Sequence, residues 1–91
     1  FPKDYKTIQA ETFMGCEKLH EIEFPENLEI IEGYAFCNCK SLESIVFPDS
    51  VIYIGEEAFS GCTSLKNVYL PKNVKIAELA FCKTPWEEAR N

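Results

Sequence analysis

Five cysteines, one histidine and fifteen acidic residues are the groups in this sequence whose types could support chemistry. Cys37-x-Cys39 has the outline of half a metal clip, but zinc sites bring a second Cys pair or His ligands at defined spacing, and His20 is the one imidazole. His20 follows Cys16 by four residues, which suggests a thiol and its base; a cysteine nucleophile also needs a group to orient that base. Glu56-Glu57, Glu87-Glu88 and the set Glu21, Glu23, Glu26, Glu29 offer paired acids or oxygen ligands. A calcium loop requires closely spaced Asp or Asn with a Gly at its turn, and none occurs. Neither a Gly-rich phosphate loop nor a G-x-S-x-G elbow is present. The residues therefore indicate no enzyme, no metal and no cofactor.

Composition narrows the partners. A net charge of −6 and a pI near 4.7 argue against a nucleic-acid groove, which needs clustered positive charge. No apolar run approaches the roughly 20 residues of a membrane-spanning helix, and no charged-then-apolar leader opens the chain. The first residue is Phe1 rather than Met, so either a leader has been removed or the sequence is a piece of a longer chain. Ninety-one residues allow at most one core.

The elements that must position these groups are set by an internal repeat. Pro2, Pro25, Pro48 and Pro71 recur every 23 residues, as do Phe13, Phe36, Phe59; Cys16, Cys39, Cys62; Leu19, Leu42, Leu65; and Ile8, Ile31, Ile54. One residue is lost after Val74, so that Ile76, Ala80 and Phe81 take the places of Ile54, Ala58 and Phe59. A 23-residue unit cannot bury a core alone, so units must stack as the coils of a solenoid. In each unit a short strand such as Leu42 to Phe47 ends at Pro, followed by a polar pair that suits a tight turn with Pro at its second position. A second extended stretch follows at Val51 to Ile54, and then a helical or 3₁₀ turn from Glu56 to Ser60. Gly15, Asn38 and Gly61 stand where a left-handed residue would end that turn; Lys83 breaks the rule in the last unit. The repeats divide the single domain, residues 1–91, into units of about 2–24, 25–47, 48–70 and 71–91, the last degenerate.

Seen in this frame, Cys16, Cys39 and Cys62 form one ladder. Their Cα atoms would lie about 5 Å apart, within disulfide reach, but stacked side chains point in parallel whereas a disulfide turns two Cβ atoms toward each other. A column between buried Phe and buried Leu is most simply a stack of small apolar thiols. Cys37 and Cys82 share a second column with Met14 and Ser60.

The unit L-x-x-I-x-F-P-x-x-V-x-x-I-G-x-x-A-F-x-G-C-x-S, read from Leu42 to Ser64, resembles the BspA-type leucine-rich repeat of bacterial and protozoan surface antigens. The resemblance covers Phe1 to about Phe81. It implies a right-handed solenoid with a parallel sheet on its concave side, and short strands and 3₁₀ or helical turns elsewhere. It further implies a role in adhesion or protein recognition, an extracellular or cell-surface location, and a protein ligand such as a host or extracellular-matrix protein. A ladder of free thiols suits a reducing setting instead, which leaves a cytoplasmic location open.

Columns that stay fixed between units are those the coil demands, and a recognition surface must come from those that vary. On the strand these are Glu21, Ser44, Asn67 and Glu23, Val46, Tyr69, with Tyr69 the best single anchor. At the ends, Phe1-Pro2 reads as the tail of an incomplete strand, leaving the N-terminal layer open to self-association. Thr84-Pro85-Trp86 departs from the expected Cys-x-Ser-Leu, and Trp86 could fold over the last layer as a C-terminal cap. The other function class compatible with this pattern is a structural or targeting repeat appended to an enzyme or other domain on a longer chain.

Overall fold

A computed structural model describes residues 4–90; the expectation for Phe1-Pro2 lies outside the described residues. The chain winds as four stacked coils and builds two parallel sheets. Strands β1 (Thr7–Ile8), β2 (Ile30–Ile31), β4 (Tyr53–Ile54) and β6 (Lys75–Ile76) form one sheet in the order β1-β2-β4-β6. Strands β3 (Ser44–Val46) and β5 (Asn67–Tyr69) form the other. Pairing follows the sequence period: Ile8 lies beside Ile31, Ile31 beside Ile54, and Ile54 beside Ile76 across the one-residue deletion.

The Leu-type strand was the one expected to carry the sheet, yet the sheet that runs through all four coils is the Ile-type one. The reason lies at the C-terminus. The fourth Leu-type strand is replaced by helix α1 (Pro85–Ala89), which starts at Thr84. Thr84 occupies the place of the Cys column, is fully buried, and accepts a hydrogen bond on its hydroxyl from the Glu87 amide at 3.1 Å. Its own hydroxyl donates to the Phe81 carbonyl at 2.7 Å. Pro85 at the first helical position and Glu87 and Glu88 in the first turn suit the positive end of the helix.

The core is a set of ladders. Phe13, Phe36, Phe59 and Phe81 stack at 5.0, 5.0 and 5.3 Å between centroids, with ring planes within 12° of parallel. Phe24 and Phe47 form a second stack at 5.4 Å and meet Phe36 and Phe59 edge-on. Each fully buried ring contributes about 1.5–3 kcal/mol by burial alone, and offset and edge contacts add to that. Leu28, Ile31, Leu42, Ile45, Val51, Ile54 and Leu65 fill the rest and are at most 1% exposed.

One local expectation needs correction. The Pro turns close through Leu28 N–H to Pro25 O (3.2 Å) and Val51 N–H to Pro48 O (3.1 Å), so Pro stands first in the turn, not second. That position uses only a carbonyl, which Pro retains, and leaves the polar pair to form the two central residues. The segment read as a helical or 3₁₀ turn closes through i to i+3 bonds of the 3₁₀ type, Ala58 N–H to Gly55 O and Ser60 N–H to Glu57 O. It is not a continuous helix, because a left-handed residue interrupts it: Glu57 has φ 53°, and Glu11, Tyr34 and Leu79 repeat this in their coils. The second left-handed column is Gly15, Asn38, Gly61 and also Lys83, at φ 62°, so the backbone keeps the conformation where the sequence drops the signal.

The interruption has a use. Amides in this segment alternate between their own turn and the next coil. Phe13, Phe36 and Phe59 donate to the carbonyls of Ala35, Ala58 and Ala80 at 2.7–2.8 Å. The Ala-Phe signature thus supplies a small inward residue, a stacking ring and an inter-coil hydrogen bond together.

Candidate binding face

The parallel register places the variable strand residues in rows. Ser44 pairs with Asn67 and Val46 with Tyr69 between β3 and β5, and Glu21 bridges Ser44 from the first coil. Glu21, Ser44 and Asn67 therefore share one row, and Glu23, one coil before Val46 in the 23-residue register, begins the row that Val46 and Tyr69 continue. Inward Ile45 between them is 1% exposed, whereas Val46 and Tyr69 are 63% and 62% exposed. Period-two alternation is what turns these side chains outward.

The rows are not uniform. Coils two and three pair over three successive registers, but the first coil joins this sheet through an isolated bridge at Glu21. Past the bridge the surface hollows into a groove of about 650 Å³. Glu21, Glu23, Ser44 and Val46 line it, so four of the six expected residues meet there; Asn67 and Tyr69 extend the face beyond it. Sequence reasoning missed Glu26, Phe24, Phe47 and Pro48, which also line the groove. Glu26 carried a signal, since it begins the polar pair after Pro25. The two Phe residues belong to a fixed core column and gave none. Among the described residues, the groove's lining includes three glutamates and no Lys, Arg or His.

The thiols are placed for structure. All five are free, Cys39 and Cys62 being fully buried. Each of these two donates its S–H to a carbonyl of the preceding coil, Cys39 to Phe13 O at 3.1 Å and Cys62 to Phe36 O at 3.2 Å. Those same carbonyls accept the Cys16 and Cys39 amides, so both lone pairs of each are used. The side-chain interaction with the Cys39 thiol, and then burial, push the Cys62 thiol well above its ordinary pKa, while the same interaction lowers that of Cys39. Burial and the nearby Glu57 carboxylate also raise Cys37. Tyr34 donates its hydroxyl to Glu57 at 3.1 Å, and that bond raises its pKa. Cys62, Cys37 and Tyr34 are thereby held in the protonated state, the opposite of what a nucleophile or metal ligand requires. Among the described residues, no group of three or more His, Cys, Asp or Glu side chains is arranged to hold a metal ion. Likewise among them, no helix is long and apolar enough to cross a membrane.

Comparison with known proteins agrees with this architecture. The profile of the BspA type leucine rich repeat region matches residues 1–90, in six copies; the number of coils is set by the 23-residue register of the strands. A crystal structure of a leucine-rich repeat protein from Bacteroides ovatus ATCC 8483 is 42% identical and superposes with a TM-score of 0.82 over 87% of this chain. The chain spans 21% of that protein's length. No curated protein gives a significant match. Repeats of this kind suggest a protein-interaction module and are typically non-catalytic. The ladders of Phe, Cys and Ile, the parallel register and the profile match lead to one statement of kinship: this chain belongs to the BspA-type leucine-rich repeat family.

Proposed function

We propose that the chain is a non-catalytic recognition module of a surface-exposed repeat array, which binds a protein of the host or extracellular matrix in adhesion. The binding residues are Glu21, Glu23, Ser44, Val46, Asn67 and Tyr69. The observation that supports this is the row of outward side chains on the Leu-type strands, where Val46 and Tyr69 stand exposed above a buried ladder. An exposed Tyr gives a large rigid contact area with a polar tip, the usual make-up of an interface anchor. A face of two short strands and one bridging segment is small against a standard interface of about 800 Å² per partner, so flanking coils would add to it in a longer array.

The test is binding of the purified protein to a panel of immobilised extracellular-matrix proteins, with substitutions on the two sheets compared. Tyr69→Ala and Val46→Asp are expected to weaken binding by about tenfold or more. Ile52→Ala, 54% exposed beside the other sheet, should leave it unchanged. Equal loss from Ile52→Ala, or none from Tyr69→Ala, would reject this face.

A further inference from the structure

We infer that the groove between the first and second coils receives an extended cationic segment of a protein partner, in which Lys or Arg residues flank an apolar side chain. This rests on the strand-face reading above and adds the chemistry of the occupant.

The apolar and the acidic residues of the lining ask for different things. Val46, at 63% exposed, together with Phe24 and Phe47 gives an apolar surface on which a partner's aliphatic side chain can be buried. Glu21, Glu23 and Glu26 supply the charge of the lining. Ser44 and Pro48, which complete it, carry no charge. Carboxylates with no Lys, Arg or His beside them among the described lining residues favour a cation from outside. Glu21 and Glu23 are both exposed on either side of the half-buried Ile22 in the first coil's bridging segment, so they project on the same side. A partner in extended conformation repeats its side chains at the same interval and can set two cations against them. The volume, about 650 Å³, suits a few residues rather than a folded surface. A second copy of this chain is the wrong occupant, because its net charge is −6.

Three blocked, fluorescently labelled peptides provide the test: Lys-Val-Lys-Val-Lys, Gln-Val-Gln-Val-Gln and Glu-Val-Glu-Val-Glu, titrated into the 91-residue protein by anisotropy and located by amide chemical shifts. An exposed ion pair is worth roughly two- to threefold in affinity, so three should favour the Lys peptide over the Gln peptide by about tenfold at low salt. That advantage should shrink severalfold on raising the salt and disappear in a Glu21→Gln, Glu23→Gln, Glu26→Gln protein, with shifts centred on Ser44 and Val46. Equal binding of the Lys and Gln peptides at Ser44 and Val46 would overturn the cationic assignment and leave the strand-face reading standing. Shifts centred instead on Ile52 and Tyr53 would overturn both. Binding of spermine as tight as that of the Lys peptide would also overturn the inference, since a free polyamine lacks the apolar side chain. So would failure of all three peptides to bind.

Discussion

At the level of single residues, the groups that first suggest chemistry turn out to hold the coils together. Cys39 and Cys62 fill a narrow column and satisfy carbonyls of the preceding coil, a task that Ala could not perform. Thr84 performs a related one in the fourth coil and starts the helix as well. This placement makes a testable statement about alkaline pH. Cys62, Cys37 and Tyr34 all bind their protons more tightly in the folded protein than in an unfolded chain, where thiols titrate near about 8.5 and Tyr near about 10. Stability from such groups is fully present below the unfolded pKa and declines as pH rises above it. In reducing buffer, the urea midpoint should therefore fall above about pH 8.5 and fall faster above about pH 10. Each thiol contributes a slope of up to about 1.4 kcal/mol per pH unit, discounted for Cys37 because part of its surroundings is solvent. Replacing Cys37 and Cys62 by Ala should flatten the curve between pH 8.5 and 10. A midpoint that rises through this range would contradict the protonated assignment.

At the scale of the element, the turn segment is where backbone conformation and packing pull apart, and two substitutions separate them. Gly55 is buried with its Cα against the preceding coil: an added Cβ would lie 2.5 Å from the Gly33 nitrogen and 2.7 Å from the Glu32 carbonyl carbon. These are backbone atoms, so the coils themselves must move. Gly55→Ala should lower stability by about 2 kcal/mol or more, in the range of overpacking costs. Leu79 is the reverse case. It is 52% exposed and holds φ 62°, a region that costs an L-residue roughly 1–2 kcal/mol and Gly little. Leu79→Gly should then be neutral or stabilising by up to about 1 kcal/mol, where Leu to Gly ordinarily destabilises. Urea unfolding of both variants decides it, and a Gly55→Ala protein as stable as the parent would refute the close approach. These positions also mark what the sequence could and could not reveal. Ladder columns were legible because identical residues repeat wherever four coils demand the same thing. The left-handed column at Glu11, Tyr34, Glu57 and Leu79 was not, because no Gly marks it and inter-coil hydrogen bonds impose it. The groove was half legible: its outward strand residues vary between repeats and so stood out, but its depth arises from where pairing stops between two coils, which no single coil records.

For the molecule as a whole, a solenoid distributes stability between neighbours, so burial should drop wherever a coil has a neighbour on one side only. Phe36, Cys39, Leu42 and Ile45 in the second coil are at most 1% exposed, whereas Phe13, Cys16, Leu19 and Ile22 in the first are half-buried. The other end differs. Trp86 meets Phe81 edge-on at 4.9 Å, donates its amide to Leu65 O at 3.0 Å, and lies under the Arg90 guanidinium at 4.6 Å. We propose this helix as the C-terminal cap; it leaves Phe81 only 2% exposed but does not reach Ile76, at 40%. The asymmetry bears on self-association of the 91-residue chain. Head-to-tail stacking would grow without limit, but it requires the end that α1 obstructs. Contact between two N-terminal layers is isologous and closes at two copies. Analytical ultracentrifugation at rising concentration should therefore show monomer and dimer with no larger species. Leu19→Glu, placed in that layer where it is half-buried, should restore the monomer while circular dichroism stays that of the parent. Trp86→Ala should free the opposite end and add higher oligomers. An open-ended series from the parent, or a monomer at every concentration reached, would show that the first coil's layer is not an association surface.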